Sequence, residues 1–262
     1  MEINDQILID ELLQLLNSKY HNYCSSGFIE TDPIQIPHLF DTPEDIEIAG
    51  FFAATLAWGS RPQIIKCARR LMQLMDDAPA DFVRNASPSE LKRLEGFVYR
   101  TFNGVDAVSF VLSLREILKN HQSLGNFFQQ QYQQTNDIYR VLNAFRAQFF
   151  SSEAASRSYK HLANVASGSS GKRLNMFLRW MVRHDKYEID FGLWREIPMS
   201  ALYLPLDVHS GNTARQLGLL MRKQNDWKAV DEVTSVLRTL DADDPVRFDF
   251  ALFGLGAFEK KK

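Results

Sequence analysis

The stretch Thr42–Ala57 constrains this chain more than any other. A hydroxyl, a proline and two acids (Thr42-Pro43-Glu44-Asp45) mark a helix start: Thr42 is placed to cap, Pro43 suits the first turn, and the acids suit the helix dipole. Behind them Ile46, Ile48, Ala49, Phe51, Phe52, Ala53, Ala54 and Leu56 leave hardly any polar face. A helix that is apolar nearly all round has to be surrounded. The pattern therefore predicts the middle of a domain, with other helices packed about it.

The rest of the chain supplies those helices. Ile7, Leu8, Leu12, Leu13, Leu15, Leu16 and Tyr20 recur at helical spacing over 5–23, with charges between them. Residues 25–41, with Pro33 and Pro37, read as a loop. Ser60 is placed to cap a helix reaching about Met75, Pro79–Val83 reads as a short helical turn, and Ser87-Pro88-Ser89-Glu90 reads as a capping box. Asn103–Leu118, Asp137–Phe149, Ser158–Ala166, Asp226–Leu240 and Pro245–Phe258 continue the helical pattern, while Gln129–Gln134 is a short glutamine-rich run. Only Ser200–Leu206 has extended character, and no repeat has a fixed period. The expectation is an all-α protein of roughly ten helices sharing apolar faces.

Composition narrows the function classes. Hydrophobic residues make up 45% and charged residues 24%, ordinary for a soluble globular protein. No apolar run approaches the roughly 20 residues of a membrane span, and Met-Glu-Ile-Asn-Asp-Gln at the start lacks a signal-peptide core. A cytoplasmic location without membrane contact is expected. Cys24 and Cys67 cannot supply a four-thiolate cluster and read as core thiols. His209 has no Cys or His nearby to share a metal. The net charge of −2 gives no global attraction to nucleic acid. Locally, Lys172, Arg173, Arg179, Arg183 and Lys186 cluster, and Arg215, Arg222 and Lys223 follow.

Chemistry concentrates in Ser167–Leu219. Gly168, Ser169, Ser170 and Gly171 open a helix, where N–H groups and the dipole favour an anion such as phosphate. Lys172 and Arg173 would reinforce that, though the P-loop spacing is absent. Lys172 stands at the helix start beside Arg173, a setting that with partial burial favours the neutral, nucleophilic amine. Asp207, opening a second helix, is placed to take a proton or to stabilise positive charge on a sugar ring. Each also has a plain structural reading: a connector for the turn, a solvated first-turn residue for Lys172, an N-cap for Asp207. Trp58 and Arg61, in a tight inter-helix turn, suit either wedging into a duplex or burial in the core.

Taken together these residues resemble a known superfamily. Leu206-Asp207-Val208-His209 followed by Thr213-Ala214-Arg215-Gln216-Leu217-Gly218-Leu219 is similar to the "V-D-T-H-V-x-R-x-x-x-R-L-G-L" signature of helix-hairpin-helix DNA glycosylases, the HhH-GPD superfamily. Gly168–Asn175 resembles its hairpin, "L-P-G-V-G-R-K-T-A-N", with Lys172 on the nucleophilic lysine of bifunctional members and Asp207 on the catalytic aspartate. Ile48–Leu71, Phe97–Leu118 and Arg247–Phe258 resemble flanking segments in the same order. The wording around Lys172–Met181 also resembles a bacterial family of uncharacterised proteins.

The resemblance implies a two-lobed, all-α, HhH-GPD-like fold with a cleft between lobes. Within a single unit spanning 1–262, residues 1–44 would form an N-terminal helix and loop, and about 45–160 a helical lobe. Residues 161–219 would form the hairpin and catalytic segment, and 220–262 the C-terminal helices. It implies double-stranded DNA carrying a lesion or abasic site as partner, gripped by Gly168, Ser169, Ser170, Gly171, Arg173, Trp58 and Arg61. It implies no cofactor: the chain ends where iron–sulfur members place their cysteines. Three features depart from the family pattern. The hairpin lacks Leu-Pro-Gly-Val-Gly, Trp58 replaces a duplex-probing glutamine, and Lys172 and Asp207 stand 35 positions apart. That separation is long for the superfamily, though archaeal 8-oxoguanine glycosylases share a long insert here. A non-catalytic nucleic-acid-binding module and a helical protein-interaction scaffold are the alternatives.

Overall fold

The computed structural model describes residues 3–151 and 153–259. Thirteen α-helices lie among them: α1 (Ile3–Tyr23), α2 (Ser26–Thr31), α3 (Pro43–Leu56), α4 (Arg61–Leu74), α5 (Pro79–Asn85), α6 (Pro88–Leu91), α7 (Gly104–His121), α8 (Leu124–Thr135), α9 (Ile138–Phe149), α10 (Lys172–Val182), α11 (Val208–Gln216), α12 (Trp227–Leu240) and α13 (Phe248–Phe258). Two two-residue strands, β1 (Val98–Tyr99) and β2 (Phe102–Asn103), pair antiparallel between α6 and α7. The protein is all-α.

The chain divides into two compact units, one of 1–28, 165–191 and 198–262, the other of 29–164 and 192–197. The N-terminal helix thus joins the C-terminal half of the chain, a partition that sequence order does not suggest.

In the 29–164 unit, α3 is the centre. Thr42 caps it by accepting from the Asp45 N–H, and eleven of its fourteen residues are buried. Phe51 meets the rings of Phe110, Phe145 and Phe149 at centroid distances of 6.0, 5.6 and 5.6 Å, the spacing at which aromatic pairs attract. One acid is buried with them. Glu47 accepts from the Leu124 and Gly125 N–H groups at 3.0 and 3.1 Å and from Trp194 Nε1 at 2.8 Å. It supplies acceptors that the first turn of α8 lacks within its own helix. A Cβ on Gly125 would stand 2.5 Å from Glu47 Oε1, so this approach requires glycine. Burial pushes the Glu47 carboxyl up to about 7, against the pull of its three N–H donors.

In the other unit, α1 packs on α13, where a Cβ on Gly254 would enter the Tyr23 ring at 2.1 Å. Leu16, Leu206, Val230, Leu237 and Leu252 share its core. Every residue of α10 from Leu174 to Val182 is buried, two arginines included.

Several expectations change at this level. The 25–41 loop holds α2 and two 3-10 turns, Pro33–Gln35 and Pro37–Leu39, the first capped by Asp32. Helix α8 hides behind its glutamines: Ser123 caps it, but its buried residues all lie in the first five positions, Leu124 to Phe128. Ser158–Ala166 is not α-helical. A 3-10 helix, Glu153–His161, ends there, with Ser158 Oγ 2.8 Å and His161 Nε2 3.3 Å from the Asp106 carboxylate. Ser200–Leu206 makes no strand because Arg238 donates to the carbonyls of Ser200, Ala201 and Leu202. A guanidinium takes the place of a neighbouring strand.

Candidate active site

The Gly/Ser turn is held from three sides. Gly168 (φ +89°) and Gly171 (φ +62°) adopt the left-handed conformation that glycine takes at least cost. The Gly168 N–H donates to the Val165 carbonyl at 3.0 Å, and the Gly168 carbonyl accepts from Trp227 at 3.1 Å. Ser169 forms an isolated antiparallel bridge with Asp226. Asn175 reaches back from α10, its Nδ2 donating to the Ser170 carbonyl at 3.1 Å. The Gly171 N–H is taken by Ser169 Oγ at 3.3 Å. Two of the turn's N–H groups are therefore spent internally, and anion binding would fall to the first turn of α10.

Lys172 is the first residue of α10 and is half-buried, with Nζ 3.5 Å from Met176 Sδ. Lys172, Met176, Arg179 and Arg183 follow one another at helical spacing and so share a face of α10. Asp207 caps α11. Its Oδ1 accepts from the N–H groups of His209 (2.8 Å) and Ser210 (3.0 Å), while its own N–H donates to Ser210 Oγ at 3.0 Å. The N-cap reading is thus realised, and it engages only Oδ1. Behind it Asn225 Nδ2 donates to the Asp207 carbonyl at 2.9 Å, and Arg215 Nη2 donates to Asn225 Oδ1 at 2.6 Å. His209 is exposed, its Nδ1 3.4 Å from the Gly256 carbonyl.

Between these helices lies a residue that carried no role in the sequence. Asp249, buried on α13, accepts from Arg179 Nη1. Burial raises its carboxyl to about 6. The Arg179 cation pulls it down, the negative charge of Asp207 pushes it up, and the Lys172 cation pulls it down again. Lys172 and Asp207 thus both act on one buried acid. An acid inside the otherwise apolar run Phe248–Phe258 was the available signal.

The basic cluster expected after the turn is largely internal. Arg179 pairs with Asp190 (3.2 Å) and with Asp249, and Arg183 pairs with Asp185 (2.7 Å), Asp190 (3.0 Å) and Asp244 (2.9 Å). Arg183 is fully buried, and Tyr20 Oη accepts from its Nη2 at 2.9 Å. Burying two guanidiniums demands such partners, because an unpaired ion inside a protein is costly. Arg222 pairs with Asp226 at 2.5 Å. Arg173 is half-buried, and burial lowers its guanidinium to about 10, which leaves it cationic at neutral pH.

Trp58 and Arg61 belong to the other unit. Trp58 is half-buried, its ring 5.2 Å from that of Tyr99 and 6.0 Å, nearly parallel, from that of His161. Arg61 pairs with Asp32 at 3.1 Å. Cys24 and Cys67 are free thiols. No described helix is long and apolar enough to cross a membrane.

Fold and site together define an all-α protein of two helical units, with a lysine and two carboxylates associated at the starts of α10 and α11 and on α13. The chain belongs to the family described as Protein of unknown function (DUF2400), whose model matches residues 32–258. No curated protein and no solved structure matches it.

Proposed function

We propose that this chain is a DNA-repair glycosylase of the helix-hairpin-helix type, with abasic-site lyase chemistry. One observation carries the reading: Lys172 and Asp207, 35 positions apart in sequence, both bear on the Asp249 carboxylate. In this reading the damaged nucleotide is flipped out of the duplex. Asp207 keeps Oδ1 in the helix cap and turns Oδ2 to the sugar, where it stabilises positive charge at C1′. The neutral Lys172 amine bonds to C1′ as the base departs, giving a Schiff base; loss of a C2′ proton then breaks the C3′–O bond. With Lys172 withdrawn, Asp207 would activate water and the enzyme would be monofunctional.

Duplexes carrying abasic sites and a panel of oxidised, alkylated and deaminated bases test this directly. Base release or strand nicking that depends on Asp207 is expected. Intact substrates across the whole panel would sink the catalytic reading.

A helical protein-interaction scaffold is the second reading, favoured by the pairing of Arg61, Arg179, Arg183 and Arg222 with acids. Duplex affinity that falls steeply with salt marks phosphate contacts; absence of duplex binding at low salt leaves the scaffold.

A further inference from the structure

We infer that Asp249 is a positioning residue of the Lys172–Asp207 site, setting by its charge the balance between the ammonium and the carboxylate. This rests on the proposed function for its chemical meaning, but its physical basis is independent of DNA. Three elements converge. Arg179 projects from the same face of α10 as Lys172, and its Nη1 bonds Asp249 on α13. The Arg179 guanidinium also lies over the ring of Phe250, 4.4 Å from its centroid, which fixes α10 against α13. The start of α11 packs on the same helix, where a Cβ on Gly256 would meet the His209 carbonyl at 2.8 Å. Asp249 is therefore held where α10, α11 and α13 meet, at the residues that carry the proposed chemistry.

The charges acting on Asp249 are Arg179 and Lys172 from α10, Asp207 from the start of α11, and Asp190 from the loop after α10. Electrostatic coupling is reciprocal, so Asp249 must act on Lys172 and Asp207 as they act on it. Ionised, it holds the Lys172 ammonium and opposes a second carboxylate. Protonated, it releases both constraints: the lysine gives up a proton more readily and Asp207 ionises more readily. The amine can then add to the C1′ aldehyde of an abasic site. One N–C bond forms, the carbonyl oxygen leaves as water, and the imine remains. Because Asp249 titrates at about 6, this balance changes within the physiological range.

The test reads the Asp249 carboxyl by carbon-13 NMR in the full chain, without DNA. In Asp207→Asn its titration is expected to move to lower pH by about 0.5 unit or more, and in Lys172→Met to higher pH by a similar amount. Both substitutions fall on half-buried side chains and leave the Arg179–Asp249 bond in place. An Asp249 titration unmoved in both variants would overturn the inference, whether or not an abasic duplex is a substrate. With an abasic duplex, Asp249→Asn should shift the rising limb of the Schiff-base rate to lower pH while the Kd for the duplex stays put. A uniform fall in rate at every pH would mark a merely structural residue.

Discussion

Each unit buries a carboxylate that desolvation pushes toward neutral pH, yet the two acids live in different company. Glu47 reaches about 7 surrounded by backbone and indole N–H donors from Leu124, Gly125 and Trp194. Asp249 reaches about 6 among full charges: Arg179, Asp207, Lys172 and Asp190. Neutral donors at fixed places serve architecture, because they join α3 to the start of α8. Mixed charges of both signs make a site whose protonation can be redistributed. Desolvation alone does not distinguish a brace from a reactive group; the neighbours do.

The largest effects should come from cutting into the two interiors. Arg183→Ala would strand Asp190, Asp244 and Asp185, and breaking a buried ion pair from one side costs about 3–5 kcal/mol. Phe51→Ala removes an aromatic from the centre of the other unit and should cost about 3–5 kcal/mol as a cavity. Chemical denaturation with probes in each unit measures both. The contrast sharpens if Arg183→Met, which cannot pair with the acids, is no better tolerated than Arg183→Ala. It breaks if Arg183→Met is as stable as the parent.

Glu47 gives a smaller, pH-resolved effect. Its folded value is about 7 against an ordinary 4.5, so between those values the folded chain holds a proton that the unfolded chain has lost. By linkage, stability falls as pH rises through that window. Glu47→Gln should flatten the fall, read as denaturation midpoints at several pH values between 4.5 and 8; an unchanged slope would contradict the assignment. Gly125→Ala presses a methyl onto Glu47 Oε1 and Trp194 Nε1 and should cost about 1–3 kcal/mol. The same Tm loss is not expected for Gly168→Ala, where a Cβ meets nothing within 4 Å, although its positive φ carries some strain.

The smallest expected stability change separates two roles of one side chain. Asp207→Ala should cost about 0.5–2 kcal/mol as a lost N-cap, whereas asparagine caps nearly as well as aspartate. Asp207→Asn should therefore keep its Tm and lose its activity. Equal losses of both in Asp207→Asn would make Asp207 a cap alone.

Much of this was legible in the sequence, for local reasons. Thr42 capping α3 and the Ser87–Glu90 capping box are short-range patterns, and both form. The apolar circumference of α3 announced a centre. What stayed hidden depends on partners distant in the chain. Arg179 and Arg183 read as part of a basic surface because nothing local reveals Asp249, 70 positions on, or Asp244, 61 positions on. Asp249 was missed for the same reason. Ser200–Leu206 looked extended, and it took an arginine from α12 to show what satisfies its carbonyls. The candidate site divides along this line: Lys172 and Asp207 were visible as helix starts, while the acid that links them was not.

Borohydride trapping on a duplex with a single abasic site tests the central claim most directly. The account predicts a covalent protein–DNA adduct that is lost in Lys172→Ala and retained in Arg173→Ala. An adduct that survives Lys172→Ala, or no adduct with the unaltered chain, would contradict it.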